Sequence, residues 1–159
     1  MNRKPALVII HTLLSLMICL VLACAPRREA GARCPAIEMS AVADTPTDSS
    51  KTVTLNDTAK ILISRTPLVA TGDITSASAS QTGDQWVVNF TVTDDAAKRV
   101  RDFTQQHVGK FLALVVDGKA HGGTPRIAGA VVSNRYELDG LDRADAERVA
   151  TAISNCCRR

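Results

Sequence analysis

The chain of 159 residues suits one compact domain and a leader, and this length argues against an assembly of several domains. Without Arg3 and Lys4, which fall in the leader, the 19 basic residues become 17 against 16 acidic ones, a net charge of +1. So small a charge argues against a dedicated nucleic-acid binder. Aromatic residues make up only 3%, so valine, isoleucine, leucine and alanine must build the core.

The first 24 residues resemble a bacterial lipoprotein signal. Arg3 and Lys4 precede an apolar segment that ends in Ala23 and Cys24. This pattern predicts that residues 1–23 are removed and that Cys24 carries the lipid, including palmitate. Two alternative interpretations remain open: an uncleaved anchor helix of about 17 apolar residues, and an ordinary secretory signal. All three interpretations place the rest of the chain outside the cytoplasm, and Ala25 favours the outer membrane.

Residues 24–35 have no periodicity and are expected to form a tether, followed by a folded domain over 36–157. Alternation predicts strands at Ile37–Val42, Val53–Leu55 and Ile61–Ser64. The segment Pro67–Ile74 is expected to be a turn-rich connection. Ser76–Gly83 is polar enough to be expected as a mobile connection.

The stretch 86–118 predicts a strand, a helix, a second strand and a tight turn. Thr93 is the predicted N-cap of the helix, and Gly109 its C-cap. The predicted inner stripe of the helix is Ala96, Val100, Phe103 and His107. The apolar run 111–116 then predicts a central strand, and Asp117–Gly118 predicts a hairpin turn.

The remaining pattern adds strands and a closing helix. Strands are predicted at Lys119–His121, Ile127–Val132 and Tyr136–Leu138. Asp142 is the predicted N-cap of a helix whose apolar stripe is Ala146, Val149, Ala150 and Ile153, extended by Cys156 and Cys157. The sequence therefore predicts an α+β fold, a mostly antiparallel sheet with two amphipathic helices packed on one face.

Several of these segments, in order, resemble the head part of the large periplasmic domain of SecD, an accessory subunit of the Sec protein-export machinery. They are Pro67–Ile74, Trp86–Asp94, Ala97–Arg99, Val108–Lys110, Leu112–Lys119, Pro125–Ile127 and Leu138–Ala150. The resemblance is clearest over 67–153, more than half of the chain. It implies a periplasmic domain that engages an emerging preprotein.

Two departures from that family limit what the resemblance implies. No part of the sequence matches the family's transmembrane helices, which carry its proton-coupling residues, and Ala130–Val132 stands where a glycine-rich segment is expected. The resemblance therefore implies a fold and a binding surface, without a translocation motor. The predicted partners are the membrane, through the lipid, and an unfolded polypeptide or components of a Sec or envelope complex.

Catalytic chemistry has little support in the sequence. His107 falls at the end of a helix stripe, and His121 beside Gly122–Gly123 has no cysteine or carboxylate at metal-ligand spacing. Capping and solvation explain the acidic set Asp139, Asp142, Asp145 and Glu147. No phosphate loop, nucleophile elbow or Cys-x-x-Cys occurs. We expect a non-enzymatic module without metal or cofactor; the alternative is a small ligand-binding or hydrolytic lipoprotein with a site near His121.

Three cysteines remain in an oxidising compartment once Cys24 is acylated: Cys34, Cys156 and Cys157. An odd number allows at most one internal bridge, and a bridge between the two adjacent cysteines is the least favoured. The sequence predicts Cys34 paired with Cys156 or Cys157, with Cys156 favoured because Cys157 lies closer to the chain end. Burial as small apolar residues is the alternative.

Overall fold

A computed structural model describes residues 34–157, and within them nine strands and two helices form an α+β fold, as predicted. The helices are α1 (Asp94–Gln106) and α2 (Arg143–Cys157). The strands are β1 (Ile37–Ala41), β2 (Ser50–Leu55), β3 (Ala59–Ser64), β4 (Val69–Ala70), β5 (Ile74–Thr82), β6 (Gln85–Val92), β7 (Leu112–Val116), β8 (Lys119–His121) and β9 (Arg135–Leu141). A short 3-10 turn, Thr71–Asp73, joins β4 to β5.

The strands divide between two sheets, a division that alternation alone did not indicate. The six-stranded sheet has the order β3-β2-β8-β7-β1-β4, and the three-stranded sheet has the order β5-β6-β9. Every neighbouring pair is antiparallel except β2 with β8, which are parallel. The predicted antiparallel preference is therefore confirmed.

The expectation of a mobile connection at Ser76–Gly83 is wrong, because this segment is most of β5. The strand pairs with β6 from Ala77 opposite Phe90 to Thr82 opposite Gln85. Ala77 and Ala79 face the core and are partly buried against it. Serine alternating with alanine carries too little apolar contrast to indicate a strand, whereas pairing with β6 satisfies its backbone groups.

The predicted strand at Ile127–Val132 is also wrong. Residues 122–134, here called the connecting segment, are irregular, and the only regular pairing there is a single bridge between Arg126 and Phe111. Ile127 instead exchanges backbone hydrogen bonds with the α1–β7 connection: its N–H donates to Lys110 O, and its own carbonyl accepts from Gly109 N–H, each at 2.8 Å. These local bonds replace those of a sheet ladder.

Thr93 caps α1 as predicted, since its hydroxyl accepts from Ala96 N–H at 3.4 Å. The predicted inner stripe is partly wrong: Ala96 and Val100 are buried, but Thr104 is the third buried position. The helix ends at Gln106, before the predicted cap at Gly109. His107 lies just beyond it, where its ring stacks on Phe103 at 4.0 Å between centroids.

Helix α2 follows its predicted pattern closely. Asp142 accepts from Asp145 N–H at 2.8 Å, and the predicted apolar stripe is buried, comprising Ala146, Val149, Ala150 and Ile153. The extension of that stripe to Cys157 is wrong, because this residue is exposed while its thiol donates to Ile74 O at 2.9 Å. The stripe joins a core to which both sheets and both helices contribute.

The hairpin between β7 and β8 has the predicted turn. Asp117 and Gly118 have φ of 49° and 84°, the positive values that a two-residue turn of this kind requires. The Asp117 carboxylate also accepts from Ala36 N–H at 2.9 Å, and Asp117 N–H donates to Ala36 O at 2.8 Å. The turn therefore holds the start of the domain as well as reversing the chain.

A disulfide joins Cys34 to Cys156, the pairing that the sequence favours. The two Cα atoms are 5.8 Å apart, an ordinary separation for a bridge. Because 122 positions separate the two cysteines, the bridge links the start of the domain to the end of α2. In the chain-entropy account, a loop of this size stabilises the fold by up to about 4–5 kcal/mol.

We expect thiol titration of the denatured, lipidated protein to find one free thiol, that of Cys157. Cys34→Ser and Cys156→Ser should each lower the melting temperature because the unfolded chain regains its freedom. Cys157→Ser is the matched control and should leave the bridge intact. Three free thiols, or equal melting temperatures for all variants, would contradict the pairing.

Candidate functional site

A mainly apolar groove of about 940 Å³, here called the central groove, opens on the surface of the described residues. The connecting segment forms one wall, and parts of β7 and β9 form others. Its apolar lining includes Met39, Val100, Leu112, Leu114, Ile127, Val131 and Leu138. A concave surface of this size and character is the usual form of a binding site.

The wall of the groove is held against α1 by one polar side chain. The buried Thr104 hydroxyl donates to Val100 O at 2.8 Å and accepts from Val131 N–H at 2.9 Å. Thr104 therefore satisfies a backbone donor in an irregular segment that has no strand partner there. Ile127, which is 4% exposed, anchors the same wall nearer β7.

Exposed apolar side chains lie on the two connections that adjoin the central groove. Val108 is 60% exposed and Phe111 40%, both between α1 and β7. Val132 is 81% exposed and directly follows Val131, a lining residue. Single exposed apolar residues of this kind are common and do not by themselves mark a binding site.

The two sheets meet where the end of β8 passes β9, and the close packing at this contact requires glycine at positions 122 and 140. A Cβ atom on Gly122 would overlap the Asp139 carboxylate, and one on Gly140 would lie 2.8 Å from the Gly122 nitrogen. Gly140 also has a φ of 72°. His121, Gly122 and Asp139 line the central groove and a second pocket, so this contact separates the two.

The second pocket is polar and holds about 550 Å³ beside His121. Its ionisable lining residues are Asp57, Lys119, His121, Asp139, Asp142 and Asp145. Lys119 pairs with Asp57 at 2.6 Å, which lowers the pKa of that carboxyl and raises the pKa of the ammonium. Burial, aided by the charge of Lys119, lowers the pKa of His121 despite the opposing effect of Asp57 and Asp145.

The two histidines considered as catalytic candidates from the sequence, His107 and His121, do not form part of a catalytic set. No hydrogen bond joins the His121 ring to another described residue, and no serine, threonine or cysteine lines its polar pocket. His107 bonds Phe103 O at 2.8 Å and ends a helix. Over residues 34–157, no group of three or more His, Cys, Asp or Glu side chains is arranged for a metal.

Three members of the acidic set, Asp142, Asp145 and Glu147, have structural partners in α2. Asp142 caps the helix, Asp145 pairs with Arg148 at 2.8 Å, and Glu147 pairs with Arg143 at 2.9 Å. Cys24, the predicted lipid site, lies outside the described residues. Sequence reasoning missed the lining residue Val131 and Thr104, whose hydroxyl holds Val131, and no local pattern indicated their contact.

Taken together, these observations define an α+β domain with an apolar groove at the junction of two sheets. The sequence profile of the family SecDF, P1 head subdomain, matches residues 47–155. The chain belongs to this family.

Curated relatives agree with the profile. Protein translocase subunit SecD of Thermobaculum terrenum is 34% identical over 90 residues, which cover 55% of this chain and 17% of that protein. Protein translocase subunit SecDF of Brucella abortus is 30% identical over 95 residues, which cover 58% of this chain and 12% of that protein. The chain thus corresponds to less than a fifth of the length of these relatives.

Solved structures share the fold. A structure of SecDF, described as a membrane component that enhances protein export, matches with a TM-score of 0.60 and 21% identity, covering 77% of this chain and 63% of that one. SecDF in a super-membrane-facing form matches with the same TM-score and 20% identity, and the match covers 77% of this chain and 19% of that one. Among the described residues, the helices are too short or too polar to span a bilayer.

Gly140→Ala should destabilise the domain because the new methyl group meets the Gly122 backbone. Gly118→Ala is the matched control, since its φ is also positive and nothing lies within 4 Å of the added atom. The control should cost about 1–2 kcal/mol for the left-handed backbone. Gly140→Ala should cost a further about 1–3 kcal/mol from overpacking. Denaturant unfolding measures both, and equal losses would contradict the close contact.

The depressed pKa of His121 predicts a pH dependence of stability. The unfolded chain binds a proton near the ordinary pKa of 6.5, and the folded chain binds it only at lower pH. The free energy of unfolding should therefore fall as the pH drops below about 6.5. His121→Gln should reduce that fall, which paired denaturant titrations between pH 7.5 and 5 at about half-unit steps would measure. Identical slopes in both proteins would contradict the burial of a neutral ring.

Proposed function

We propose that this protein is a membrane-anchored envelope lipoprotein whose head domain binds polypeptide during protein export. It acts as a non-enzymatic accessory module, holding an unfolded client or docking it near the Sec complex. Membership of the SecDF head family and the names of its relatives support the link to export. The proposal does not extend to proton-driven transport.

The observation that carries this proposal is the central groove. Its lining is mainly aliphatic, so it offers apolar contact without demanding one side-chain shape. An unfolded polypeptide presents apolar side chains at irregular intervals, which such a surface accommodates. The exposed backbone of the irregular wall adds hydrogen-bonding groups of the kind that polypeptides use.

We expect Val131→Asp to weaken polypeptide binding, because it puts a carboxylate into the apolar lining. The probe is fluorescein-labelled, carboxymethylated α-lactalbumin, a permanently unfolded chain, followed by fluorescence anisotropy. The dissociation constant should rise roughly fivefold or more. Val131→Ser tests the same position with a smaller perturbation.

Val132→Asp is the matched control, since the same substitution falls on the neighbouring residue, which is outside the lining. It should bind the probe as the natural protein does. Melting temperatures of all variants establish that they are folded. Equal binding by Val131→Asp and Val132→Asp would contradict a role for the groove.

The proposed chain organisation has three parts: a signal over residues 1–23, a tether over 24–35 and the head domain over 36–157. The basic, then apolar, then Ala23–Cys24 pattern supports lipidation at Cys24. Ala25 after the cysteine supports the outer membrane, with the domain facing the periplasm. The short tether would keep the central groove near the membrane surface.

Cys24→Ala should abolish lipid attachment and block removal of the signal. Metabolic labelling with a palmitate analogue, followed by gel mobility and fractionation, measures both effects. Cys157→Ala is the matched control and should incorporate label normally. Unchanged labelling in Cys24→Ala would show that Cys24 is not the lipid site, whereas no labelling of the natural protein would favour an anchor helix or an ordinary secretory signal.

The polar pocket beside His121 supports one alternative, a small ligand-binding or hydrolytic lipoprotein. Its carboxylates outnumber its single lysine, so a ligand there would be cationic. The absence of a hydroxyl or thiol among its lining residues argues against covalent catalysis. Hydrolysis of ester model substrates that disappears in His121→Gln would favour this alternative.

A further inference from the structure

The free edge of β5 is unlike the other sheet edges formed by the described residues. Strand β4 has only two residues, β3 contains Lys60, and β9 contains Arg135, Glu137 and Asp139. In contrast β5 is nine residues long, with the sequence Ile-Thr-Ser-Ala-Ser-Ala-Ser-Gln-Thr, and it contains no charge and no proline. Short length, charge and proline are how natural proteins protect edges from pairing.

The orientation of the β5 backbone follows from one hydrogen bond. The Ser154 hydroxyl of α2 donates to Ala77 O at 3.0 Å, so Ala77 directs its carbonyl away from β6. Backbone groups alternate along an antiparallel strand, so Ala79 and Gln81 point the same way. Ser78, Ser80 and Thr82 face β6 in the ladder.

Helix α2 covers only the first part of this edge. Ser154 and the Cys157 thiol occupy the carbonyls of Ala77 and Ile74. No described residue pairs with the outward backbone groups of Ala79 and Gln81. The open part of the edge therefore offers alternating N–H and C=O groups over about five residues, the complement of one more extended strand.

We infer that this edge binds an extended segment of the client polypeptide, which adds a fourth strand to the β5-β6-β9 sheet. The chemistry selects this occupant, since alternating donors and acceptors match a polypeptide backbone. The side chains flanking the edge are small: Ser78 and Ser80 on one face, Ala77 and Ala79 on the other. They form no pocket for a particular side chain, so recognition is tolerant of client sequence.

This inference rests on the proposed function, since it specifies how the same client is held. Ala79→Pro and Gln81→Pro test it, because each removes an outward N–H and leaves the bonds to β6 in place. Gln81→Ala is the matched control: it removes the side chain and keeps the N–H. The probe is again labelled, carboxymethylated α-lactalbumin, with melting temperatures to confirm folding.

Each proline variant should weaken binding roughly tenfold, and Gln81→Ala should bind normally. A heptapeptide that binds should lose binding when alternate amides are N-methylated. Normal binding by both proline variants, with loss in Val131→Asp, would overturn the edge inference and leave the proposed function standing. No binding by the natural protein would overturn both. Dimerisation abolished by Ala79→Pro, with unchanged probe binding, would assign the edge to a second copy and overturn the inference.

Discussion

The close passage of β8 and β9 is the constraint on which the two-sheet arrangement depends. A Cβ atom on Gly140 would lie 2.8 Å from the Gly122 nitrogen, and a Cβ atom on Gly122 would overlap the Asp139 carboxylate. This contact joins the end of β8, an interior strand of the six-stranded sheet, to β9, an edge strand of the three-stranded sheet. It also sets the start of the connecting segment, whose course determines the wall of the central groove and the separation of the polar pocket.

Other contacts stabilise this arrangement from its ends. The disulfide joins Cys34 to α2, and Asp117 binds the backbone of Ala36. Both therefore act on the short stretch that leads into β1, a strand that pairs with β7 at the centre of the larger sheet. A domain with few aromatic residues gains from such links, because its aliphatic core contributes less area per side chain.

The three-stranded sheet connects the two surfaces proposed for polypeptide binding. Its β9 side contributes to the central groove, and its β5 side has the open edge. One surface offers apolar contact and the other backbone hydrogen bonds. Neither selects a particular side chain, which is suitable for a module that must accept many unfolded sequences. The polar pocket at His121 adjoins the central groove, with which it shares His121, Gly122 and Asp139.

Segments with strong periodicity were predictable from sequence because their pattern depends on neighbours along the chain. Thr93 and Asp142 mark helix starts through local caps, and Asp117–Gly118 marks a turn through its own backbone preference. The two wrong strand and loop predictions concern segments whose structure depends on residues that are distant in the sequence. Strand β5 needs β6 to pair with, and the connecting segment takes its path from backbone bonds to the α1–β7 connection.

The amino-acid sequence was sufficient to predict the α+β class, the two helix N-caps, the β7–β8 turn and the favoured cysteine pair. Each of these follows from local periodicity, from backbone preference or from counting thiols. Only the tertiary structure decided the division into two sheets, the groove lined by Val131 and the open edge at Ala79. Those features depend on contacts between segments that are distant in the sequence. The close packing of Gly122 against Gly140 is one such contact, and no local sequence pattern predicts it.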